Sequence, residues 1–215
     1  MKKMFAAMVA ALLMVSLVSS VTLASSTTWK LSSFNASGRA LRTQVAKVAS
    51  DGTVSFTFPS TPDAAYLTST KVSSSGSLSA TVSIAAQTGT TFAYYPSGAP
   101  ATVGLYFQTK QAGPFNPSDF WWSGSSRVSL DSIVTSGTTL STSLLDPSAW
   151  TNYYGKPGDQ AGTYVVNGVT YPSAADGFAA AVASIDSWGV SFGGGSFFAN
   201  GVGTPTGSAV FTLAP

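Results

Sequence analysis

Two clusters of aromatic and amide side chains are the part of this sequence best suited to hold a ligand. One is a pair of adjacent tryptophans, and the other packs three rings and an amide into a turn-like segment. Flat rings can stack on the C–H faces of sugars, and ligand pockets combine such apolar walls with a few placed polar groups. The sequence therefore predicts a carbohydrate-binding surface formed by Trp121, Trp122, Trp150, Asn152, Tyr153 and Tyr154.

Each of these rings also has a structural alternative. Side chains that are adjacent on a strand point to opposite faces, so one of Trp121 and Trp122 fills the core. The other points outward, either as a platform for a sugar or beneath a covering loop. Trp150 would bury a large apolar area in the core. The rings of Tyr153 and Tyr154 either face solvent or tuck under their loop with only the hydroxyls in water.

The residue types that are missing exclude most familiar enzymes. The sequence has no histidine, no cysteine and no glutamate. Without histidine, no side chain has an unperturbed pKa near neutrality, and without histidine and cysteine the usual ligands of transition metals are absent. A serine nucleophile would lack its usual base, and no Ser-x-x-Lys pattern occurs. We therefore predict a protein that is not an enzyme.

Aspartate supplies all eight acidic side chains, which limits two further hypotheses. A glycoside hydrolase needs two carboxyl groups facing each other across a cleft. Asp119 and Asp131 are the nearest to such a pair, so an Asp-dependent glycoside hydrolase is the third functional hypothesis. No cofactor is predicted. A structural calcium held by Asp146, Asn152 and Asp159 is the alternative to turn formation by the same side chains, which their loose spacing favours.

The first 24 residues have the pattern of a secretion signal. Lys2 and Lys3 precede an apolar run at residues 5–18, and small residues lead to a cleavage position after Ala24. We predict that this signal peptide is removed. The remaining residues 25–215 would then form a secreted or periplasmic protein.

Length and charge restrict the partners of the predicted mature chain. Its length of about 190 residues suits a single β-sandwich domain. Loss of the two signal lysines leaves eight basic residues against eight aspartates, a net charge of zero. No basic stripe remains to contact phosphates, so we predict no nucleic-acid partner. No long apolar stretch follows the signal, so we predict no membrane contact after cleavage.

Short segments in which apolar and polar residues alternate, separated by turn residues, predict the strands that position the aromatic and amide side chains. Residues 78–84 alternate apolar and hydroxyl side chains, which is typical of a half-buried strand. Asp51-Gly52 and Asn167-Gly168 are typical two-residue hairpin turns. Further strands are predicted at 28–34, 43–49, 53–58, 91–95, 103–109, 118–122, 138–144, 162–166, 189–192 and 208–213, with loops at 73–79 and 204–207.

One short helix is predicted near residues 176–185. Asp176 would cap its start, and Phe178, Val182 and Ile185 would share its buried stripe.

The glycines at 193–195 would let an edge strand bend. Many short strands with one helix and frequent glycine and proline breaks predict an all-β fold, a single antiparallel β-sandwich or jelly roll.

Four motifs in the C-terminal part carry a resemblance to a known family. They are Leu105-Tyr106-Phe107-Gln108-Thr109, Asp119-Phe120-Trp121-Trp122-Ser123, Leu144-Leu145-Asp146-Pro147-Ser148-Ala149-Trp150 and the closing segment 188–203. Through them, residues 102–213 resemble uncharacterised secreted bacterial β-sandwich domains that are similar to carbohydrate-binding, galactose-binding-like jelly rolls. The resemblance implies a jelly roll and, by analogy, sugar binding. It transfers no catalytic residue, because fold alone does not fix function.

Two functional hypotheses rank above the glycoside hydrolase. The first is a secreted, non-catalytic binding domain for an extracellular or cell-wall carbohydrate, which the aromatic clusters favour. The second is a structural or adhesive protein of the cell surface or matrix, whose Ser/Thr-covered sheets would associate with copies of itself or with a partner. Low charge and strand-rich composition fit both classes.

Overall fold

Two antiparallel sheets stacked face to face form most of this protein. The computed structural model describes residues 28–34, 39–70, 76–94, 100–134, 136–193 and 201–215. The predicted signal peptide lies outside the described residues, as do residues 73–75 of a predicted loop, Tyr95 and residues 194–200 of the closing motif. Within the part of the chain that is described, no helix combines the length and apolar character needed to cross a membrane.

Strands dominate the described residues. In chain order they are β1 (Trp29–Phe34), β2 (Ala40–Val45), β3 (Lys47–Val48), β4 (Val54–Thr57), β5 (Ala64–Ser69), β6 (Ser77–Ala86), β7 (Thr91–Tyr94), β8 (Thr102–Thr109), β9 (Phe120–Ser123), β10 (Val128–Ser129), β11 (Thr138–Ser143), β12 (Trp150–Asn152), β13 (Tyr164–Val166), β14 (Val169–Tyr171), β15 (Ile185–Gly193), β16 (Val202–Thr206) and β17 (Ala209–Ala214). The helices are α1 (Leu130–Ile133) and α2 (Ala174–Ala183), with 3₁₀ turns at Pro117–Asp119 and Pro147–Ala149.

The strands form two large sheets and one separate hairpin. The larger sheet has the order β12-β9-β8-β15-β5-β1-β2, with β10 beside β8, β16 beside β5 and β7 beside β16. The second sheet has the order β11-β6-β17-β4-β3, and β13 pairs only with β14 among the described strands. The pairings are antiparallel, which confirms the predicted all-β sandwich.

The core lies between the inner faces of the two sheets. On β6 the predicted alternation is confirmed, because Leu78, Ala80, Val82 and Ile84 are buried while the hydroxyl residues between them are exposed. Rings meet across the sandwich, with the centroids of Phe192 and Phe211 5.0 Å apart. Burial of one large apolar side chain contributes roughly 1.5–3 kcal/mol, so this alternation is the main reason that the strands adopt their registers.

Both predicted hairpins are present. Asn167 and Gly168 connect β13 to β14 with φ values of 49° and 77°, which is the left-handed backbone that an Asn-Gly turn provides. At the other hairpin Ala49 N donates to Thr53 O at 2.8 Å and Gly52 N donates to Ala49 O at 3.0 Å. Three residues, 50–52, therefore form the turn between the paired Ala49 and Thr53, and the prediction of a two-residue turn was wrong in length.

The predicted helix lies two residues earlier than expected. Its N-cap is Ser173, whose Oγ accepts from Asp176 N at 3.2 Å, so Asp176 lies inside the first turn rather than at the cap. Phe178 is buried as predicted, and Val182 is half-buried. Ile185 starts β15, because the helix ends at Ala183 and the chain turns into a strand. The one-turn helix α1 was not predicted.

Several strand boundaries also differ from the prediction. The strand expected at 118–122 begins at Phe120, because Pro117–Asp119 form a 3₁₀ turn capped by Asn116. The predicted strand 43–49 is divided at buried Ala46, where the chain passes from the larger sheet to the second. Strand β16 occupies most of the predicted loop 204–207, and β6 begins within the predicted loop 73–79.

Candidate functional site

The outer face of the larger sheet carries a continuous group of aromatic rings. Strand register places Tyr106 opposite Trp122, and Tyr66 two strands away on the same face. Rings from the strands and from two flanking loops extend this group toward one edge of the sheet. We call it the outer aromatic face, and its members are Phe34, Tyr66, Tyr106, Phe115, Phe120, Trp122, Tyr153 and Tyr154.

Small residues on β15 allow rings from its two neighbours to meet above it. Strands β5 and β8, which carry Tyr66 and Tyr106, are two strand spacings apart, roughly 9.6 Å, and the two residues are also offset by two positions along the strands. Their ring centroids are nevertheless 4.8 Å apart. The rings can lean together because Gly189 and Ser191 of β15, which lie between them in the register, leave room above the sheet. This approach buries Tyr106 on the side of the sheet that faces away from the core.

The outer aromatic face changes from covered to open along its length. Trp122 is only 2% exposed, with its ring centroid 5.1 Å from that of Tyr106. Beyond it Phe120 stacks on Phe115 at 5.4 Å, and Phe115 meets Tyr153 edge-on at 4.7 Å. Phe115 is 52% exposed and Tyr154 is 68% exposed. The face therefore has a packed aromatic base and an accessible tip formed by Phe115 and Tyr154.

Asn152 holds the loop that carries the accessible tip. Its side chain is buried, and Oδ1 accepts from Tyr154 N and from Lys156 N, each at 3.0 Å. Tyr153 N donates to Pro117 O at 3.2 Å, which ties the same loop to the 3₁₀ turn before β9. Backbone bonds of this kind fix a loop before a ligand arrives, and preorganisation lowers the cost of binding. Asn152 thus positions the tyrosines rather than offering its amide to solvent.

Trp121 and Trp150 lie in the core on the opposite side of the sheet. Trp121 Nε1 donates to Ser118 O at 2.8 Å, and its ring packs edge-on against Phe178 with centroids 5.0 Å apart. Trp150 Nε1 donates to Ser143 O at 2.8 Å. Both side chains are fully buried, so neither presents a ring face to a ligand. We therefore correct the predicted binding set by assigning these two tryptophans to the core.

Trp122 points away from the core, as strand alternation predicts, yet it is not an open platform. Neighbouring rings cover it, including those of Tyr66 and Tyr153 at 6.5 and 6.2 Å. Its Nε1 is buried and, within the described residues, has no hydrogen-bond partner. A buried donor without an acceptor costs about 1–3 kcal/mol. Trp122 therefore belongs to the packed base of the outer aromatic face.

A cation lies beside the rings. Arg127, from the turn between β9 and β10, lies across Gly104, where an added Cβ would be 3.3 Å from Arg127 Nε. Its Nη1 donates to Thr102 Oγ1 at 2.9 Å, and its Nη2 donates to Ser191 Oγ at 3.1 Å. Burial lowers the pKa of Arg127 to about 10, and the nearby Tyr66 opposes that shift. The guanidinium is therefore still charged at neutral pH.

Burial also changes the acidity of the tyrosines on this face. It raises the pKa of Tyr106 well above the usual 10.0, with a smaller contribution from Tyr66. The Tyr106 hydroxyl donates to Gln108 Oε1 at 3.0 Å. The pKa of Tyr153 is raised as well, mainly by burial and secondarily by Tyr154. Tyr106 and Tyr153 therefore stay neutral around pH 7, where the neighbouring Arg127 is charged.

The aspartates that entered the catalytic hypothesis have different surroundings. Asp119 is buried, and its Oδ1 accepts from Thr109 Oγ1 at 2.7 Å and from Asn167 N at 2.8 Å. It thereby fastens the β13–β14 hairpin to β8. Asp131 is exposed in the first turn of α1. The geometry gives Asp119 a structural role in the hairpin.

The side chains considered for calcium mostly form turns. Asp146 Oδ1 accepts from Ser148 N at 3.1 Å and caps the 3₁₀ turn before β12, and Asn152 bonds its own loop. These are the turns that the sequence favours for Asp146 and Asn152. In the described ranges of the chain, no three acidic side chains gather as a metal site would require.

Five residues near the site were not predicted from the sequence. Tyr106 and Phe120 lie next to core residues on predicted strands, which was a signal that both faces of the larger sheet are covered, whereas Tyr66 lies on β5, which was not predicted. Phe115 lies between two prolines, and Arg127 has no local signal. These residues are Tyr66, Tyr106, Phe115, Phe120 and Arg127.

Comparison with known proteins gives no relative. The chain matches no family model, no curated protein and no solved structure. The resemblance of residues 102–213 to galactose-binding-like domains therefore stays a prediction.

Proposed function

We propose that this protein is a non-catalytic binding domain for an extracellular or cell-wall carbohydrate. The observation that carries the proposal is the outer aromatic face with its accessible tip, Phe115 and Tyr154. The proposal includes export through the predicted signal peptide, because polysaccharides of this kind lie outside the cytoplasm.

The chemistry of the face fits a sugar better than an apolar ligand. Stacking rings supply flat apolar contacts, while the hydroxyls of Tyr153 and Tyr154 and the amide of Gln108 can pair with sugar hydroxyls. Gln108 and Tyr153 are both half-buried at the transition between the covered base and the open tip. Rings held by a bonded loop also lose little freedom on binding. The face therefore combines the contact types that sugar recognition requires.

Alanine substitutions at the tip test the proposal. We expect wild-type protein to bind members of a glycan array, and Phe115→Ala and Tyr154→Ala each to weaken that binding about tenfold or more, since removal of a central aromatic contact costs over about 1.4 kcal/mol. Leu145→Ala is the matched control, because Leu145 is 83% exposed on the turn after β11 and its removal should leave binding unchanged.

Three results would contradict carbohydrate binding. These are an array with no bound glycan, tip variants that bind as the wild type does, and release of new reducing ends from a bound glycan. Circular dichroism of each variant shows whether the fold is retained, so that lost binding is not confused with unfolding.

A second candidate function rests on the other side of the sandwich. The outer side of the second sheet, which we call the hydroxyl face, presents exposed serine and threonine side chains without charge on β6 and β11. Thr81 Oγ1 and Thr139 Oγ1 are 3.1 Å apart across these strands. The members of this face are Ser79, Thr81, Ser83, Thr139 and Ser141.

The hydroxyl face suits adhesion or self-association, in which the sheets of two copies stack. Thr81→Lys would place a charge at the centre of this face. If association is the function, size-exclusion chromatography over a range of concentrations should show oligomers of the wild type that Thr81→Lys disperses. Monomers at every concentration would count against this function and leave the carbohydrate proposal as it is.

A further inference from the structure

Arg127 is a cation in an unusual place for a protein with so few charges. The side chain reaches from the β9–β10 turn onto the outer side of the larger sheet, where it donates to the neutral hydroxyls of Thr102 and Ser191. In the described part of the chain, no aspartate forms an ion pair with it. A partly buried charge without a counter-ion is costly, because desolvation is not offset by a partner.

The surroundings of Arg127 place this charge on the outer aromatic face. Ser191, which accepts from Nη2, is the register partner of Tyr66 on β5 and of Gly104 on β8. Gly104 is two residues from Tyr106 and therefore shares its side of the sheet. A guanidinium has five N–H donors, and Thr102 and Ser191 use two of them. Among the described residues, these two bonds leave N–H donors on a charged group beside the rings.

We propose that the carbohydrate bound by the outer aromatic face carries an anionic substituent, a carboxylate or a sulfate, that pairs with Arg127. This inference rests on the proposed carbohydrate-binding function and narrows it to acidic glycans. Arginine suits the role because its planar group can form two parallel hydrogen bonds to a carboxylate or a sulfate. Thr102 and Ser191 hold the guanidinium in place before the ligand arrives. With a net charge of zero over the predicted mature chain, selection for acidic ligands would come from this local cation rather than from long-range attraction.

Two matched pairs of polymers test the inference with the wild-type protein. Oligogalacturonate is compared with its methyl ester, and dextran sulfate is compared with dextran, so each pair differs in charge on one backbone. We expect the charged member of at least one pair to bind about tenfold or more tightly than its neutral match, as a hydrogen-bonded charge pair would give. The pair that responds identifies the anion as a carboxylate or a sulfate. The difference in affinity between the charged and the neutral polymer should be smaller at high salt.

Variants then test whether the preference for the charged polymer depends on Arg127. Arg127→Gln keeps hydrogen-bonding capacity toward Thr102 and Ser191 but removes the charge, so it should lose the preference while still binding neutral glycans. Arg127→Lys should retain part of the preference, and it decides the question if Arg127→Gln does not fold. Arg42→Gln is the matched control, because it removes an exposed arginine from β2 and should leave the preference unchanged.

The outcomes separate this inference from the proposed function. Equal binding of charged and neutral members, or a preference that survives in Arg127→Gln, would overturn the inference and leave carbohydrate binding intact. Binding of no polymer here and of no glycan on the array would overturn both. A preference that disappears in Arg127→Gln and persists in Arg42→Gln supports the assignment.

Discussion

Adjacent tryptophans on β9 offer a matched measurement of what one hydrogen bond contributes. Trp121 Nε1 donates to Ser118 O, whereas Trp122 Nε1 is buried without a partner in the described residues. Replacing either residue by phenylalanine removes the same atoms. Only Trp121→Phe also leaves a buried carbonyl unpaired, while Trp122→Phe removes an unpaired donor. We expect Trp121→Phe to lower the free energy of unfolding by about 1–3 kcal/mol more than Trp122→Phe does.

Urea denaturation of the two variants beside the wild type measures this difference. The two changes lie on one strand and remove equal ring volume, so each serves as the control for the other. Equal losses, or a larger loss in Trp122→Phe, would show that Trp122 Nε1 has an acceptor in solution.

For single residues, the sequence predicted the directions of side chains but not their surroundings in the candidate site. Alternation along a strand is local, so the opposite directions of Trp121 and Trp122 followed from their adjacency. Whether the outward ring is covered depends on Tyr106 from the neighbouring strand β8 and on Tyr66 from β5, which is far away in the sequence. Arg127 was unpredictable for the same reason, because its partners Thr102 and Ser191 become its neighbours only through sheet pairing.

Among the elements, the central strand β15 requires a glycine at one position. It lies at the centre of the larger sheet between β8 and β5, and Gly189 faces Tyr106 on one side and Thr68 on the other. A Cβ at this position would overlap Leu67 O and would be 2.9 Å from Thr68 Cα. Since these are backbone atoms of a paired strand, they cannot move without breaking the sheet.

We therefore expect Gly189→Ala to lower the free energy of unfolding by about 3 kcal/mol or more, or to prevent folding. Thermal unfolding followed by circular dichroism, together with the soluble yield, measures the loss. Gly124→Ala is the control, because nothing lies within 4 Å of its added Cβ. That variant should differ from the wild type by less than about 0.5 kcal/mol. A normal melting temperature for Gly189→Ala would contradict the close pairing of β5 and β15.

Elements with a local cause were predicted well, and those with a distant cause were not. The Asn167-Gly168 hairpin and the alternating strand β6 are specified by residues within the element itself. Strand β5 was missed because Ala64–Ser69 shows no clean alternation, and it is central, with Leu67 against the core and Tyr66 under the outer rings. Its strand character comes from neighbours on both sides.

For the molecule as a whole, the residue types predict a wide pH range of constant stability. Aspartate is the only acidic side chain, and histidine is absent, so no side chain has a normal pKa between about 5 and 9. The alkaline limit depends on the buried tyrosines. Folding raises the pKa of Tyr106. Below pH 10 this tyrosine is neutral in both the folded and the unfolded chain, so its full contribution to stability is present.

Above pH 10 the unfolded chain ionises this tyrosine while the folded chain does not, so stability declines until the raised pKa is reached. The contribution of Tyr106 should fall by about 1.4 kcal/mol for each pH unit in that window. Tyr106→Phe removes this dependence. Its unfolding free energy, measured in urea from pH 8 to the alkaline limit, should therefore fall less steeply than that of the wild type.

Comparison of the two proteins isolates Tyr106 from other alkaline effects. The lowered pKa of Arg127 acts in the opposite direction, because the folded protein loses that buried charge first, and it is present in both proteins. At neutral pH, Tyr106→Phe should cost about 1 kcal/mol through the lost bond to Gln108. Parallel pH curves for the two proteins would contradict burial of the Tyr106 hydroxyl.

The two broad sides of the sandwich have opposite affinities for water. Rings lie along one side, and serine and threonine hydroxyls line the other. A layer of this protein adsorbed through its rings would present hydroxyls to the medium and turn a water-repelling support into a wettable one. The contact angle of a water drop on such a coated support would fall, and the fall would be smaller for a protein without Phe115 and Tyr154.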